Sequence, residues 1–281
     1  MVQGHPASRL LDQLVDTAIA AGAEIMRIYD TDFTVRIKGD DSPVTAADEA
    51  AEALIVAALT RLDPTIPIVA EEAAAAGCVP ETGGRFFLVD PLDGSKEFIS
   101  RNGEFTVNIA LIEDGMPVLG VVYAPAIGRL WWGQSGSGAY HARLVGGIKG
   151  QTQPIKVRSC AMAALDVVGS RSHGAREADA WLDRFQVGRV VAAGSSLKFC
   201  LLASGEADLY PRFGRTMEWD TAAGDAVLRA AGGRVETLAG ELLAYGKRNQ
   251  PDDTDFANPH FIALGDARLS GCRSDAKAAG I

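Results

Sequence analysis

Residues Val89 to Phe98 read VDPLDGSKEF, which sets two aspartates, Asp90 and Asp93, three residues apart at the end of an apolar run. Asp-Pro and Asp-Gly are ordinary turn dipeptides, and aspartate readily bonds turn amides, so a plain turn explains the stretch taken alone. Two further acidic features change that reading: IVAEE, with Glu71 and Glu72, and EWDTAAGDA, with Asp220. Each sits where an apolar run ends or a helical pattern begins. Carboxylates gathered in one cleft repel one another unless divalent cations lie among them, so the simplest tenant is magnesium, as two or more ions.

Composition narrows the donors. The four cysteines and four histidines are scattered, without the spacing of a zinc site or a disulfide framework. Any metal is therefore held chiefly by oxygen, as magnesium, manganese and calcium are. Lys and Arg total 27 against 36 Asp and Glu, a formal net charge of −9, which argues against broad binding to nucleic acid or anionic lipid. An anionic substrate would need a bound cation and a few well-placed basic residues. At 281 residues and 47% apolar content the chain can form one large domain or two tightly packed ones. No apolar run nears the ~20 residues that span a bilayer, and MVQGHPASRL does not read as a secretory signal. A cytoplasmic protein with no transmembrane segment is expected.

Positioning the carboxylates falls to a chain whose rhythm changes part-way. From Ser8 to about Tyr29, Leu11, Leu14, Val15, Ala18, Ile19, Ile25 and Met26 recur at helical spacing, with Ser8 as N-cap and Gly22 on the same face. Phe33, Val35 and Ile37 alternate with polar residues, as in a half-buried strand. A helix follows from Thr45 to Leu62, and its opening TAAD sets Thr45 and Asp48 as a capping box. A carboxylate in that first turn can also touch a neighbouring hydroxyl. Strands are expected at Ile66 to Ala70 and Phe86 to Val89, then a hairpin around Glu113-Asp114-Gly115, then a strand and turn in GRLWWGQSGSGAY. Beyond about residue 155, strands DVVGS, GRVVAA and ADLYPRF alternate with helices around Ala175 to Phe185, from Ser195 and from about Thr221. That alternation predicts a parallel or mixed sheet covered by helices.

These motifs, in order from about Leu10 to Gly265, resemble the inositol monophosphatase superfamily, which pairs a glutamate of EE with a DPLDGT-like run and a downstream WD and AAG. SPVTAAD, DPLDGSKEF, NGEFTVNIALI, GVVYAP, SRSH, GSSLKFC and LYPRFG are similar to its CysQ-type 3′(2′),5′-bisphosphate nucleotidases. The resemblance implies a layered α-β-α-β-α sandwich. An α+β half over 1–155 would carry most metal ligands, an α/β half over 156–265 the nucleotide and its second phosphate, and 266–281 would be a disordered tail. It implies that Glu71, Asp90, the carbonyl of Leu92, Asp93 and Asp220 ligate two or three magnesium ions, with Asp90 bridging. The amides of Gly94 and Ser95 would hold phosphate oxygens at a helix N-terminus. Asp48 and Ser95, with the ligand Glu71, form the implied catalytic set: a magnesium-activated water attacks phosphorus in line, without a covalent intermediate. Glu72 supports. The family usually has threonine where this chain has Ser95; the hydroxyl remains, with a freer rotamer.

The resemblance also directs the substrate. In GSSLKF, Ser195 and Lys198 stand three apart at a helix start, where the family receives a second, non-reacting phosphate. Arg212 of YPRFG and His173 of SRSH match further nucleotide contacts, and Leu92, Asp93, Gly94, Ser95 and Asp220 complete the substrate-binding set. Read singly, these are a cap, a solvated lysine, a paired arginine and a loop histidine. The implied reaction is hydrolysis of adenosine 3′,5′-bisphosphate to AMP and phosphate, with 3′-phosphoadenylyl sulfate as a further substrate, a link to sulfate assimilation, and inhibition by lithium. The alternatives are an inositol-1-monophosphatase or other polyol phosphatase, and a catalytically silent nucleotide or metal sensor. The expected partner is a phosphorylated nucleotide, not a nucleic acid, and the expected assembly a monomer or homodimer. Peripheral attachment at the inner membrane is left open.

Overall fold

The computed structural model describes residues 6–37, 43–169, 178 and 181–271. A short antiparallel pair, β1 (Val35–Ile37) and β2 (Pro43–Thr45), precedes two sheets. The larger holds β3 (Ile68–Ala70), β4 (Arg85–Asp93), β5 (Thr106–Glu113), β6 (Met116–Ala124), β7 (Arg129–Gln134), β8 (Gly138–Val145), β9 (Ile148–Lys149) and β10 (Gln153–Ile155). Its order is β10-β8-β7-β6-β5-β4-β3, with β9 paired to β8. The smaller holds β11 (Leu165–Gly169), β12 (Val187–Ala192), β13 (Leu209–Arg212), β14 (Arg234–Thr237) and β15 (Phe261–Leu264), in the order β12-β11-β13-β15-β14.

Central strands of the large sheet are apolar on both faces, so they need a layer on each side. In β4, Phe87 and Val89 join one core and Phe86 and Leu88 another; in β5, Ile109 and Leu111 part from Ala110 and Ile112 in the same way. Helices α1 (Pro6–Tyr29) and α2 (Ala46–Leu62) cover the first face with Leu14, Ala18, Ile25, Ile55 and Leu59. Gly22 is the close contact there, because a Cβ on it would overlap the Tyr123 ring.

Three short or middle-length helices follow at strand ends: α3 (Glu71–Ala75), α4 (Ser95–Ile99) and α5 (Leu197–Ala203). The longer α6 (Glu218–Ala230) shares the inter-sheet core with α5. Gly133 lies so close under α6 that a Cβ would meet that of Ala230 at 2.8 Å. On the outer face of the small sheet, Trp181, Leu182, Phe185 and Leu269 of α7 (Arg268–Gly271) pack against Leu165, Val167, Ile262 and Leu264. The layers therefore run α-β-α-β-α.

Several boundaries differ from expectation. Helix α1 begins at Pro6, so Ser8 lies inside its first turn. Helix α6 begins three residues before Thr221, because Asp220 accepts the Met217 amide at 2.8 Å and caps it. The small sheet is mixed: β12-β11-β13 is parallel, whereas β15 is antiparallel to both neighbours. The polar tail hid an anchor, since Leu269 is buried and Asp266 binds Arg268 and the Cys160 amide, so order continues to Gly271. Residues 272–281, with Cys272, lie outside the described residues, as do positions 175–177, 179 and 180 of the helix expected around Ala175 to Phe185. No helix among the described residues is long and apolar enough to cross a membrane.

Candidate active site

In a regular strand, residues three apart point to opposite faces; a register shift between Asp90 and Asp93 at the end of β4 breaks that alternation. Asp90 is buried, and one of its oxygens accepts the Leu92 amide at 3.0 Å. Burial, then the charges of Glu71, Asp93 and Asp220 and a hydrogen bond with Glu71, hold the Asp90 carboxyl well above the usual carboxylate range. Asp220 is raised in the same way by burial and by Asp93 and Glu71, against the Met217 amide and the Arg212 charge. The four carboxylates, drawn from β4, α3 and α6, thus share one electrostatic site.

Behind α3 stands Glu52 of α2, whose carboxylate accepts the amides of Glu72 and Ala73 at 2.7 and 2.8 Å. It anchors the helix that begins with Glu71. Its signal in the sequence was slight, one acid on an alanine-rich face.

Asp48 is held on one oxygen by the Thr45 amide and hydroxyl, at 2.8 and 2.7 Å. Its other oxygen accepts the Ser95 hydroxyl at 3.3 Å, across 47 residues. Ser95 opens α4 directly after Gly94, whose φ of 92° is the left-handed conformation that glycine adopts without strain. The Leu92 side chain is buried, and its carbonyl lies 3.5 Å from Ser95 Oγ.

Asp93, Gly94, Ser195, Lys198, Arg212 and Asp220 line one cleft of about 140 Å³, which Lys96, Glu97 and Tyr210 also border. Lys198 is buried, donates to the Ser195 carbonyl at 2.7 Å and lies over the Tyr210 ring. Burial pulls its ammonium down to about 8, with Arg212 adding to the fall and Asp93, Glu97 and Glu104 opposing it. Arg212 is braced by the carbonyls of Gly214 and Arg215, both at 3.2 Å. The structure thus joins every site residue expected from the sequence except His173, which lies outside the described residues.

It also shows polar residues that sequence reasoning passed over: Thr106 and Asn108 of β5 and Ser196 before α5 are all buried between the carboxylates. Nothing in the alternation of TVNIAL marks them, because the partners of Thr106 and Asn108 lie up to 89 residues away.

The Inositol monophosphatase family pattern matches residues 7–260. The chain belongs to that family. It is 46% identical over 254 residues to the 3′(2′),5′-bisphosphate nucleotidase CysQ of Salmonella typhimurium, covering 90% of this chain and 98% of that protein. The crystal structure of CysQ from Bacteroides thetaiotaomicron superposes with a TM-score of 0.74 at 35% identity, covering 91% of this chain and 97% of the other. The inositol monophosphatase of Anabaena superposes with a TM-score of 0.75 at 25% identity over 98% and 97% of the two chains.

The inositol monophosphatase family is one of metal-dependent phosphatases, and the donors here suit such an ion. All are hard oxygens, and the largest influences on the Asp90 carboxyl, burial and the charges of Glu71, Asp93 and Asp220, all raise it. Among the described residues, no three His, Cys, Asp or Glu side chains already stand as a closed ligand cluster.

Proposed function

We propose that this chain is a magnesium-dependent 3′(2′),5′-bisphosphate nucleotidase that hydrolyses adenosine 3′,5′-bisphosphate to AMP and phosphate. The observation that carries the reading is the single cleft lined at once by the carboxylates Asp93 and Asp220 and the cations Lys198 and Arg212. A polyol monophosphate needs only the acidic end; a nucleotide with two phosphates uses both.

Glu71, Asp90, the Leu92 carbonyl, Asp93 and Asp220 would hold the metal, which when bound neutralises charge on the reacting phosphate and acidifies water. The chain's own residues then move the proton. Ser95 takes it from the attacking water as it passes its own to Asp48, the acceptor already 3.3 Å away. Thr45 keeps Asp48 aimed, through two hydrogen bonds to the far oxygen. The Gly94 and Ser95 amides receive phosphate oxygens, and Ser195, Lys198, Arg212 and His173 receive the second phosphate and the nucleoside. The same pocket admits 3′-phosphoadenylyl sulfate, which links the activity to sulfate assimilation, and lithium inhibits by taking a magnesium position.

Phosphate release from adenosine 3′,5′-bisphosphate, 3′-phosphoadenylyl sulfate and inositol 1-phosphate, each with magnesium and with chelator, tests the reading. Turnover of the bisphosphate that chelator abolishes supports it. Turnover of inositol 1-phosphate alone would make the protein a polyol phosphatase, and no turnover of any ester would make it a sensor.

A further inference from the structure

Asn108 lies at the meeting point of the two halves. It is buried on β5, where it is the register partner of Asp90 on β4. Its amide is used in full. Oδ1 accepts the Thr106 hydroxyl at 3.0 Å, while Nδ2 donates both to Asp93 Oδ2 at 3.3 Å and to Ser196 Oγ at 3.0 Å. Ser196 Oγ in turn donates to the backbone carbonyl of Asp220 at 2.6 Å. An unbroken chain of hydrogen bonds therefore runs from the Asp93 carboxylate through Asn108 and Ser196 to the backbone of Asp220.

Only a neutral group with one acceptor and two donors satisfies these partners. Aspartate would set acceptor against acceptor beside the Asp93 carboxylate, and an apolar residue would leave the serine and threonine hydroxyls short of a partner in a buried site. We propose that Asn108, acting through Asp93 and Ser196, is a positioning residue that fixes the separation of Asp93 from Asp220 and thereby sets the affinity of the site for a divalent cation. The amide donated to Asp93 also fixes the orientation of that carboxylate before an ion arrives. Partners that stand behind ligands in this way are worth about 10–100-fold in metal affinity when removed. The inference rests on the metal-site reading above.

The test counts free Mn²⁺ by electron paramagnetic resonance as MnCl₂ is titrated into the full chain without substrate, so that it does not depend on turnover. Asn108→Ala and Ser196→Ala should each raise the Mn²⁺ Kd by about 10–100-fold. The double variant should be no weaker than the worse single one, because both break the same chain. Val107→Ala is the control for a merely structural effect. Val107 adjoins Asn108 but is buried in the core shared with α1 and α2. It should lower the melting temperature and leave the Kd unchanged. If Asn108→Ala fails to fold, Ser196→Ala decides alone. A Kd in the folded variants equal to that of the wild type overturns the proposal. Absence of Mn²⁺ binding by the wild type overturns instead the metal site on which it stands.

Discussion

Ser195 Oγ donates to Asp93 Oδ2 at 2.6 Å, joining a loop of the C-terminal half to a carboxylate of the N-terminal half 102 residues earlier. The carbonyl of the same residue accepts Lys198 Nζ at 2.7 Å. One residue thus meets the acidic end of the cleft through its side chain and the basic end through its backbone.

The backbone of Ser195 has a φ of 51°, where a residue with a Cβ bears a cost of about 1–2 kcal/mol. Ser195→Ala and Ser195→Gly both lose the bond to Asp93, but only glycine relieves the left-handed conformation. The glycine variant should therefore be the more stable by about 1 kcal/mol in urea unfolding, although the greater freedom of its unfolded chain offsets part of the gain. Equal midpoints would show that this backbone conformation carries no cost.

For the Asp48–Ser95 pair, Ser95→Ala and Asp48→Asn each remove a carrier of the proton in the proposed mechanism and should lower kcat by about 10²–10⁴-fold. Ser95→Thr keeps the hydroxyl and narrows its rotamers, so it should match or exceed the wild type. Single-turnover measurement separates this from product release. Loss of turnover in Ser95→Thr would remove the hydroxyl from the mechanism.

The acidic half of this site was legible because its chemistry is local. Asp90 and Asp93 share one turn, Thr45 and Asp48 one helix start, and both leave a mark within four letters of sequence. Asn108, Thr106 and Ser196 left none, since an ordinary strand alternation and a serine pair gain their meaning only from partners in the other half. Lys198 shows the same limit. Its spacing from Ser195 pointed to an anion site through a resemblance, but burial of its ammonium is a property of the packed cleft. The start of α6 was misplaced because the capping group is Asp220 itself, inside the helix, and the N-cap position is Met217 in place of a serine or threonine. Strands β14 and β15, which follow the last helix expected from the sequence, went unread.

Asp90 offers a separation of stability from function. Its ionisation is opposed by burial and by three like charges, so the charged carboxylate destabilises the metal-free fold. A raised carboxylate pKa gives stability that is present at acid pH and lost as pH rises through the folded value. Asp90→Asn should thus abolish phosphate release and yet raise the melting temperature in chelator at pH 7. Added Mg²⁺ should stabilise the wild type more than the variant. A variant that melts lower than the wild type in chelator would show that Asp90 contributes to the fold by its charge.

Lys198 makes the opposite case on the basic side. A buried ammonium brought down from 10.5 to about 8 is charged in the free enzyme only below that pH. In the proposed reading a second phosphate uses that charge, so KM for adenosine 3′,5′-bisphosphate should rise as pH passes about 8. KM for a monophosphate, which leaves that pocket empty, should not. The stability linkage has the reverse sign from that of Asp90. A lysine with a lowered folded pKa gives stability that is complete above 10.5 and is lost as pH falls through about 8. At pH 7 the folded protein therefore bears the cost of a buried charge, of order 3 kcal/mol for a shift of this size. Lys198→Met should unfold at higher urea than the wild type at pH 7, with the gap closing toward pH 10. It should also weaken the bisphosphate by about 10–100-fold through loss of a charged hydrogen bond. A variant that gains stability without losing affinity would place the second phosphate elsewhere, and one that loses both would make Lys198 a structural ammonium held by the Ser195 carbonyl.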